Sequence, residues 1–89
     1  MIIEYDKSFE KSLDNFKNKS LYPLIGKIIL EFEKSKSLTD LPNIKKLTGF
    51  KNYNRLRIGE YRLGFEKIDE NTFRFILIAH RKDIYKLFP

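Results

Sequence analysis

Apolar and polar positions follow two periods along this chain, and the change from one to the other divides it. Residues 1–5 alternate weakly and are apolar enough for a short first strand. Over Lys7–Lys19, Phe9, Leu13 and Phe16 recur at steps of four and three, with Lys, Glu, Asp, Asn and Ser between them. That spacing predicts an amphipathic helix, which Asp6 or Ser8 can cap. Ser20-Leu-Tyr-Pro23 breaks the pattern, and Pro23 suits the first turn of a second helix running to Lys34. Leu24, Ile25, Ile28, Ile29 and Phe32 form its apolar stripe. Together the two segments predict a helical hairpin whose stripes pack into a core.

After a loop over Ser35–Asn43, and an irregular turn expected over Ile44–Gly49, the period falls to two. In Tyr53–Ile58, Leu56 and Ile58 share one face and Arg55 and Arg57 the other. Gly59-Glu60 makes a turn. In Tyr61–Ile68, Tyr61, Leu63 and Phe65 oppose Arg62, Gly64 and Glu66. Asp69-Glu-Asn71 is a hairpin connection. Thr72–Ala79 is apolar on both faces, with Phe73, Phe75 and Leu77 on one and Ile76 and Ile78 on the other, as expected of a central strand. Arg81–Leu87 reads either as a last helical turn or as an edge segment. The predicted order is β-α-α-β-β-β, an α+β fold with a helical hairpin on a small, mostly antiparallel sheet, in a single domain over residues 1–89.

Charge sharpens this division. Residues 1–44 hold seven lysines and seven acids, whereas residues 45–89 hold eleven Lys or Arg against five acids, so the net +6 lies entirely in the second half. All the arginines are there too. A guanidinium fork matches a phosphate, so a basic half rich in arginine points to a polyanion, with nucleic acid first; the competing reading is a basic surface that only aids solubility. The chain has no cysteine, which removes disulfides and thiolate metal sites. Its single histidine, His80, lacks neighbouring acids at ligand spacing, and phosphate-loop and nucleophile-elbow motifs are missing. No metal or other cofactor is expected. The N-terminus does not resemble a signal peptide and the longest apolar run is too short for a membrane span, so a soluble cytoplasmic protein is expected.

The candidate chemistry is therefore a basic sheet face with aromatic residues nearby: Lys51, Arg55, Arg57, Arg62, Arg81, Lys82, Tyr53 and Tyr85. Arginines hold phosphates and rings stack on unpaired bases, which suits single-stranded RNA. An arginine beside a scissile phosphate stabilises its transition state. RNA cleavage through the 2′-OH needs a base and an acid, for which His80, Tyr85, a lysine or a perturbed arginine are the candidates. Each has a structural competitor. Arg55 and Arg57 can be solvated charges on an outer strand. Arg62 can pair with Glu60 or Glu66, and Arg81 with Asp83. Tyr85 can join Leu87 and Phe88 in a core, and His80 can be a satisfied core histidine.

Three pieces taken in order, Lys45-Lys-Leu-Thr-Gly49, Arg55-Leu-Arg-Ile-Gly-Glu-Tyr-Arg62-Leu-Gly-Phe65 and Ile78-Ala-His-Arg81-Lys-Asp-Ile-Tyr85, resemble the RelE/ParE superfamily of toxins from toxin–antitoxin systems. The likeness extends over nearly the whole chain and implies the family's fold. RelE-type members are metal-independent endoribonucleases that cut mRNA in the ribosomal A site. ParE-type members, the alternative on the same fold, inhibit DNA gyrase. The resemblance implies Arg62 as the transition-state arginine, Arg81 as the group protonating the leaving oxygen, Tyr85 as the ring that stacks on or orients the nucleotide, and His80 as a partner in proton transfer. Lys51, Arg55, Arg57 and Lys82 are implied to hold RNA. Arg55 stands where the nuclease branch often has a lysine implicated in 2′-OH activation; arginine is a poorer base, which leaves the general base open. A cognate antitoxin is the implied protein partner. No additional helix is expected beyond Tyr85.

Overall fold

In the computed structural model, described over residues 1–16, 19–47, 49–50 and 52–88, a five-stranded sheet carries two helices on one face and a third on the other. The strands are β1 (Ile2–Tyr5), β2 (Ile44–Lys46), β3 (Tyr53–Ile58), β4 (Tyr61–Asp69) and β5 (Thr72–His80), in the order β1-β5-β4-β3-β2. β1 runs parallel to β5 and the other pairs are antiparallel, so the sheet is mixed. The helices are α1 (Lys7–Asp14), α2 (Tyr22–Lys34) and α3 (Arg81–Leu87).

Asp6 is the residue that caps α1: its carboxylate accepts from the Ser8 N–H at 3.0 Å. The helix stops at Asp14 rather than Lys19, because the Phe16 N–H bonds back to Leu13 and tightens the last turn. Phe16 is still buried, but from outside the helix. Pro23 sits in the first turn of α2 as expected. Ile25 and Phe32 are buried there, whereas Leu24, placed in the same stripe by its spacing, is largely exposed.

The hairpin side of the sheet is an aromatic core. Phe32 meets Phe65, Phe73 and Phe75 edge-on at centroid distances of 5.1–6.1 Å. Phe9, Leu56, Ile58, Leu63 and Ile78 complete it. Two serines fit α1 to the sheet. β1 pairs with β5 only as far as Phe75, which leaves the rest of that β5 edge without a strand. Ser8 and Ser12, one helical turn apart, face it: the Ser8 hydroxyl lies between the Asp6 carboxylate and the Ile76 carbonyl, and Ser12 Oγ accepts from the Ile78 N–H at 3.0 Å. The helix thereby satisfies backbone groups that a missing strand neighbour leaves open.

The structure corrects three expectations. Ile44–Lys46 is a strand paired with β3, not an irregular turn. β3, flanked by β2 and β4, is consequently not an outer strand. Of the two readings of Arg81–Leu87 the helical one holds, as α3; the third correction lies in β5. The alternation of β5 does not persist: Phe65 pairs with Phe75 while Gly64 pairs with Leu77, an irregularity that shifts the phase by one. Phe73, Phe75 and Ile78 therefore share the hairpin-side core, and Leu77 turns to the opposite face with Leu47, Ile84 and Phe88. That second, smaller core is what docks α3. Among the described residues no helix is long and apolar enough to cross a membrane.

Candidate nucleic-acid interface

On the face away from the hairpin, strand register sets the arginines in rows. Lys45 pairs with Arg55 and Arg55 with Gly64. One step along, Arg57 pairs with Arg62 and Arg62 with Ala79. Gly64 makes room here. A Cβ on it would lie 2.8–2.9 Å from ring atoms of Phe88, closer than carbon atoms approach, so the bare backbone is the seat of that ring. Ile84 on α3 and Phe88, the residue that caps its end, are the buried anchors of the helix. With them fixed, Tyr85 projects over β3 and the Arg55 guanidinium lies 4.6 Å from its ring centroid, a cation–π contact. Tyr85 is 64% exposed, which excludes the core role.

The result is a cleft of about 400 Å³ lined by Asn43, Ile44, Lys45, Arg55, Arg57, Arg62 and Tyr85. Four of these are cationic and none is acidic. Such a surface attracts anions and has an exposed aromatic ring at its edge. The carboxylates expected to compete for Arg62 are engaged elsewhere: Glu66 lies against Arg74, and Glu60 pairs with Arg81. Arg62 instead donates from one nitrogen, Nη1, to the Gly59 and Tyr61 carbonyls, each at 2.8 Å. The Gly59-Glu60 turn sets those carbonyls. Gly59 has φ +60° and heads a two-residue hairpin connection, a position that favours glycine. Arg62 is thus held in place by backbone while its net charge remains uncancelled. Arg57 donates to the Asn43 side-chain oxygen at 3.3 Å.

Arg81, His80 and Lys82, also singled out in the sequence, are not among the residues that line this cleft. Arg81 begins α3: its N–H donates to the Glu60 carbonyl at 2.8 Å and its Nε pairs with the Glu60 carboxylate at 2.9 Å, rather than with Asp83. His80 pairs with Tyr61 across the ladder and so faces the hairpin side, where it lines a separate hollow with Ser12, Tyr61 and Asp83. Its Nδ1 accepts from the Lys82 N–H at 3.2 Å and caps α3, which requires that nitrogen to be unprotonated. Lys82 is exposed in the same first turn. Lys51 lies outside the described residues. Among those residues no group of three or more His, Asp or Glu side chains is close enough to share a metal ion.

Three lining residues, Asn43, Ile44 and Lys45, escape a reading of the sequence. Lys45 enters the cleft through the register of a three-residue strand too short to show a period. Asn43 reads as a turn residue and is one, with φ +64°, but its side chain also reaches Arg57.

No family model matches the chain. It is 40% identical over 90 residues, covering all of both chains, to Toxin RelE3 of Methanocaldococcus jannaschii. It is similar to a chain in the crystal structure of the RelB-RelE antitoxin-toxin complex from Methanococcus jannaschii, with a TM-score of 0.79 and 37% identity over 97% of this chain and 99% of that one. A third likeness is to YafQ from E. coli strain BL21(DE3), at a TM-score of 0.69 and 18% identity over 93% and 96% of the two chains, and that one speaks to fold alone. With 40% identity sustained from end to end and the same architecture, the chain belongs to the RelE family of toxins.

Proposed function

We propose that this toxin is an endoribonuclease that cuts mRNA on the ribosome and so stops translation. The observation that carries the reading is the acid-free cleft in which Arg62 is fixed by two backbone carbonyls across from Arg57, beside the exposed ring of Tyr85. In the reaction the 2′-oxygen attacks the adjacent phosphorus and the bond to the 5′-oxygen breaks. The 2′-OH loses a proton, the leaving oxygen gains one, and the products are a 2′,3′-cyclic phosphate and a 5′-OH. Negative charge builds on the non-bridging oxygens meanwhile. A guanidinium already held in position stabilises that charge without reorganising, and this is the role given to Arg62. Arg57 and Lys45 add positive potential for the flanking phosphates. A base stacked on Tyr85 contributes about 1–3 kcal/mol, and Arg55 steadies the ring from its side.

Arg81 is assigned to the leaving oxygen. It must part from Glu60 to act, and an exposed ion pair of this kind holds it by only about 0–1 kcal/mol. His80 serves the reaction indirectly, by capping the helix that carries Arg81 and Tyr85. A cognate antitoxin, the partner of the RelE relative in its complex, is the protein expected to cover the basic face.

Mapping mRNA 5′ ends after induced expression tests the proposal. New ends within translated frames are expected, and they should disappear in Arg62→Ala. Growth arrest with intact mRNA, or full toxicity of the Arg62→Ala/Arg81→Ala pair, overturns it. Arrest accompanied by blocked DNA supercoiling and continuing translation would put the gyrase activity in its place.

A further inference from the structure

We propose that Asn43 is a positioning residue of the cleft, holding the Arg57 guanidinium beside Arg62 for a phosphate of single-stranded RNA. The inference rests on the cleft binding RNA, as proposed above. Arg57 and Arg62 are direct partners in the β3–β4 register, so their like charges repel. Arg57 is exposed, and an untethered arginine there would swing into solvent. Asn43 restrains it twice: its backbone carbonyl accepts from the Arg57 N–H at 3.0 Å, and its Oδ1 accepts from Nη2 at 3.3 Å. The first bond seats the loop after Pro42 on β3, and any residue could make it. The second needs a side-chain acceptor.

The residue type fits that task. With φ +64° the backbone is left-handed, where Gly, Asn and Asp are the usual occupants. Glycine would supply the conformation without the tether. Aspartate would tether more strongly, but would bring a carboxylate into a cleft that has none. Only the neutral amide orients Arg57 and leaves the cleft's charge intact.

Binding of a fluorescein-labelled single-stranded oligouridylate, titrated against salt, tests this. Asn43→Gly keeps the backbone and should weaken binding about threefold to tenfold, the worth of one ordinary hydrogen bond, as suits an exposed contact at 3.3 Å. In an Arg57→Ala background the same change should have no further effect, because Asn43 acts through that side chain. Asn43→Asp should reduce the slope of log affinity against log salt by about 0.7, one phosphate contact on a single strand. Thermal denaturation of each variant separates loss of fold from loss of tether. If Asn43→Gly binds as the wild type does, or weakens binding equally with and without Arg57, Asn43 is only a turn residue and the proposal fails while the cleft reading stands. If the wild-type protein binds no RNA, the cleft reading falls and this inference with it.

Discussion

Gly64→Ala adds one methyl group where the sheet has no room for it. Gly64 has no left-handed φ, so the effect is steric. The new carbon would stand 2.8–2.9 Å from Cγ, Cδ1 and Cδ2 of Phe88, and ordinary carbon contacts lie at about 3.5–4.0 Å. The ring must therefore retreat by roughly 0.7–1 Å. It is only 4% exposed and packs among Leu47, Leu77 and Ile84, so it cannot move without loosening α3. Overpacking of this kind costs about 1–3 kcal/mol. The alternative, releasing Phe88 from the sheet, forfeits about 1.5–3 kcal/mol of burial, so the expected loss is about 2 kcal/mol by either route. For a chain of this length that is a fall of roughly 10 °C in melting temperature. The loss should also be local. α3 has seven residues and cannot persist without its anchors. Hydrogen exchange should therefore lose protection over Ile84–Phe88 while β5 keeps its own. Phe88→Leu should partly rescue Gly64→Ala, with a coupling of about 1 kcal/mol in the double-mutant cycle. Wild-type stability and unchanged α3 protection in Gly64→Ala, or strict additivity with Phe88→Leu, would refute the reasoning.

Two further outcomes follow from single contacts. Glu60→Gln removes the exposed partner of Arg81; stability should stay within about 0.5 kcal/mol by denaturant titration, while mRNA cleavage under single-turnover conditions rises, and a fall to the level of Arg81→Ala would show that the pair is needed in place. Asp6→Ala removes the cap of α1. The Asp6 carboxyl is held below its ordinary value of 3.8 by the hydrogen bond from the Ser8 hydroxyl and then by that from the Ser8 N–H. A depressed folded pKa means the contribution is fully present above the ordinary value and is lost as pH falls through the folded one. Melting curves of variant and wild type should thus differ at neutral pH and converge in acid; a constant gap down to the lowest pH would separate the cap from the carboxylate's charge.

The fold was legible wherever a period ran long enough to be read. Phe9, Ile25 and Phe32 on the helices, and Leu56, Ile58, Leu63 and Phe65 on the strands, lie where periods of 3.6 and 2 put them. What the periods could not carry was decided by tertiary contact. Leu77 changed face because the β4–β5 ladder shifts at Gly64, and nothing in an unbroken apolar run marks such a shift. Leu24 belongs to the right stripe, but it borders a hollow with Leu41 and Leu56 and is left exposed there. β2 became a strand by pairing with β3, since three residues have no period of their own. The cleft followed the same rule. Alternation put Arg55, Arg57 and Arg62 on one face, whereas Lys45 and Asn43 entered through a pairing that their own segment did not announce. Separation of His80 from Arg62 was implicit in the strand register, since neighbours of opposite parity on paired strands face opposite ways.

The second core explains why the cleft is where it is. A mixed sheet of this size has two faces, and the hairpin covers only one. Had the other remained open, Arg55, Arg57 and Arg62 would be scattered charges on a solvated surface, which was one of the readings open at the outset. Docking α3 changes this, because a helix seated at Gly64 erects a wall along one side of the arginine rows and puts the Tyr85 ring over Arg55. Arg81, at the start of α3, is held separately by the Glu60 carbonyl. Stability and site are coupled through Phe88. Anything that lifts this ring loosens the small core and, in the same movement, takes away the aromatic edge of the cleft. A partner that inactivated the protein by displacing α3 would thus need no contact with the arginines.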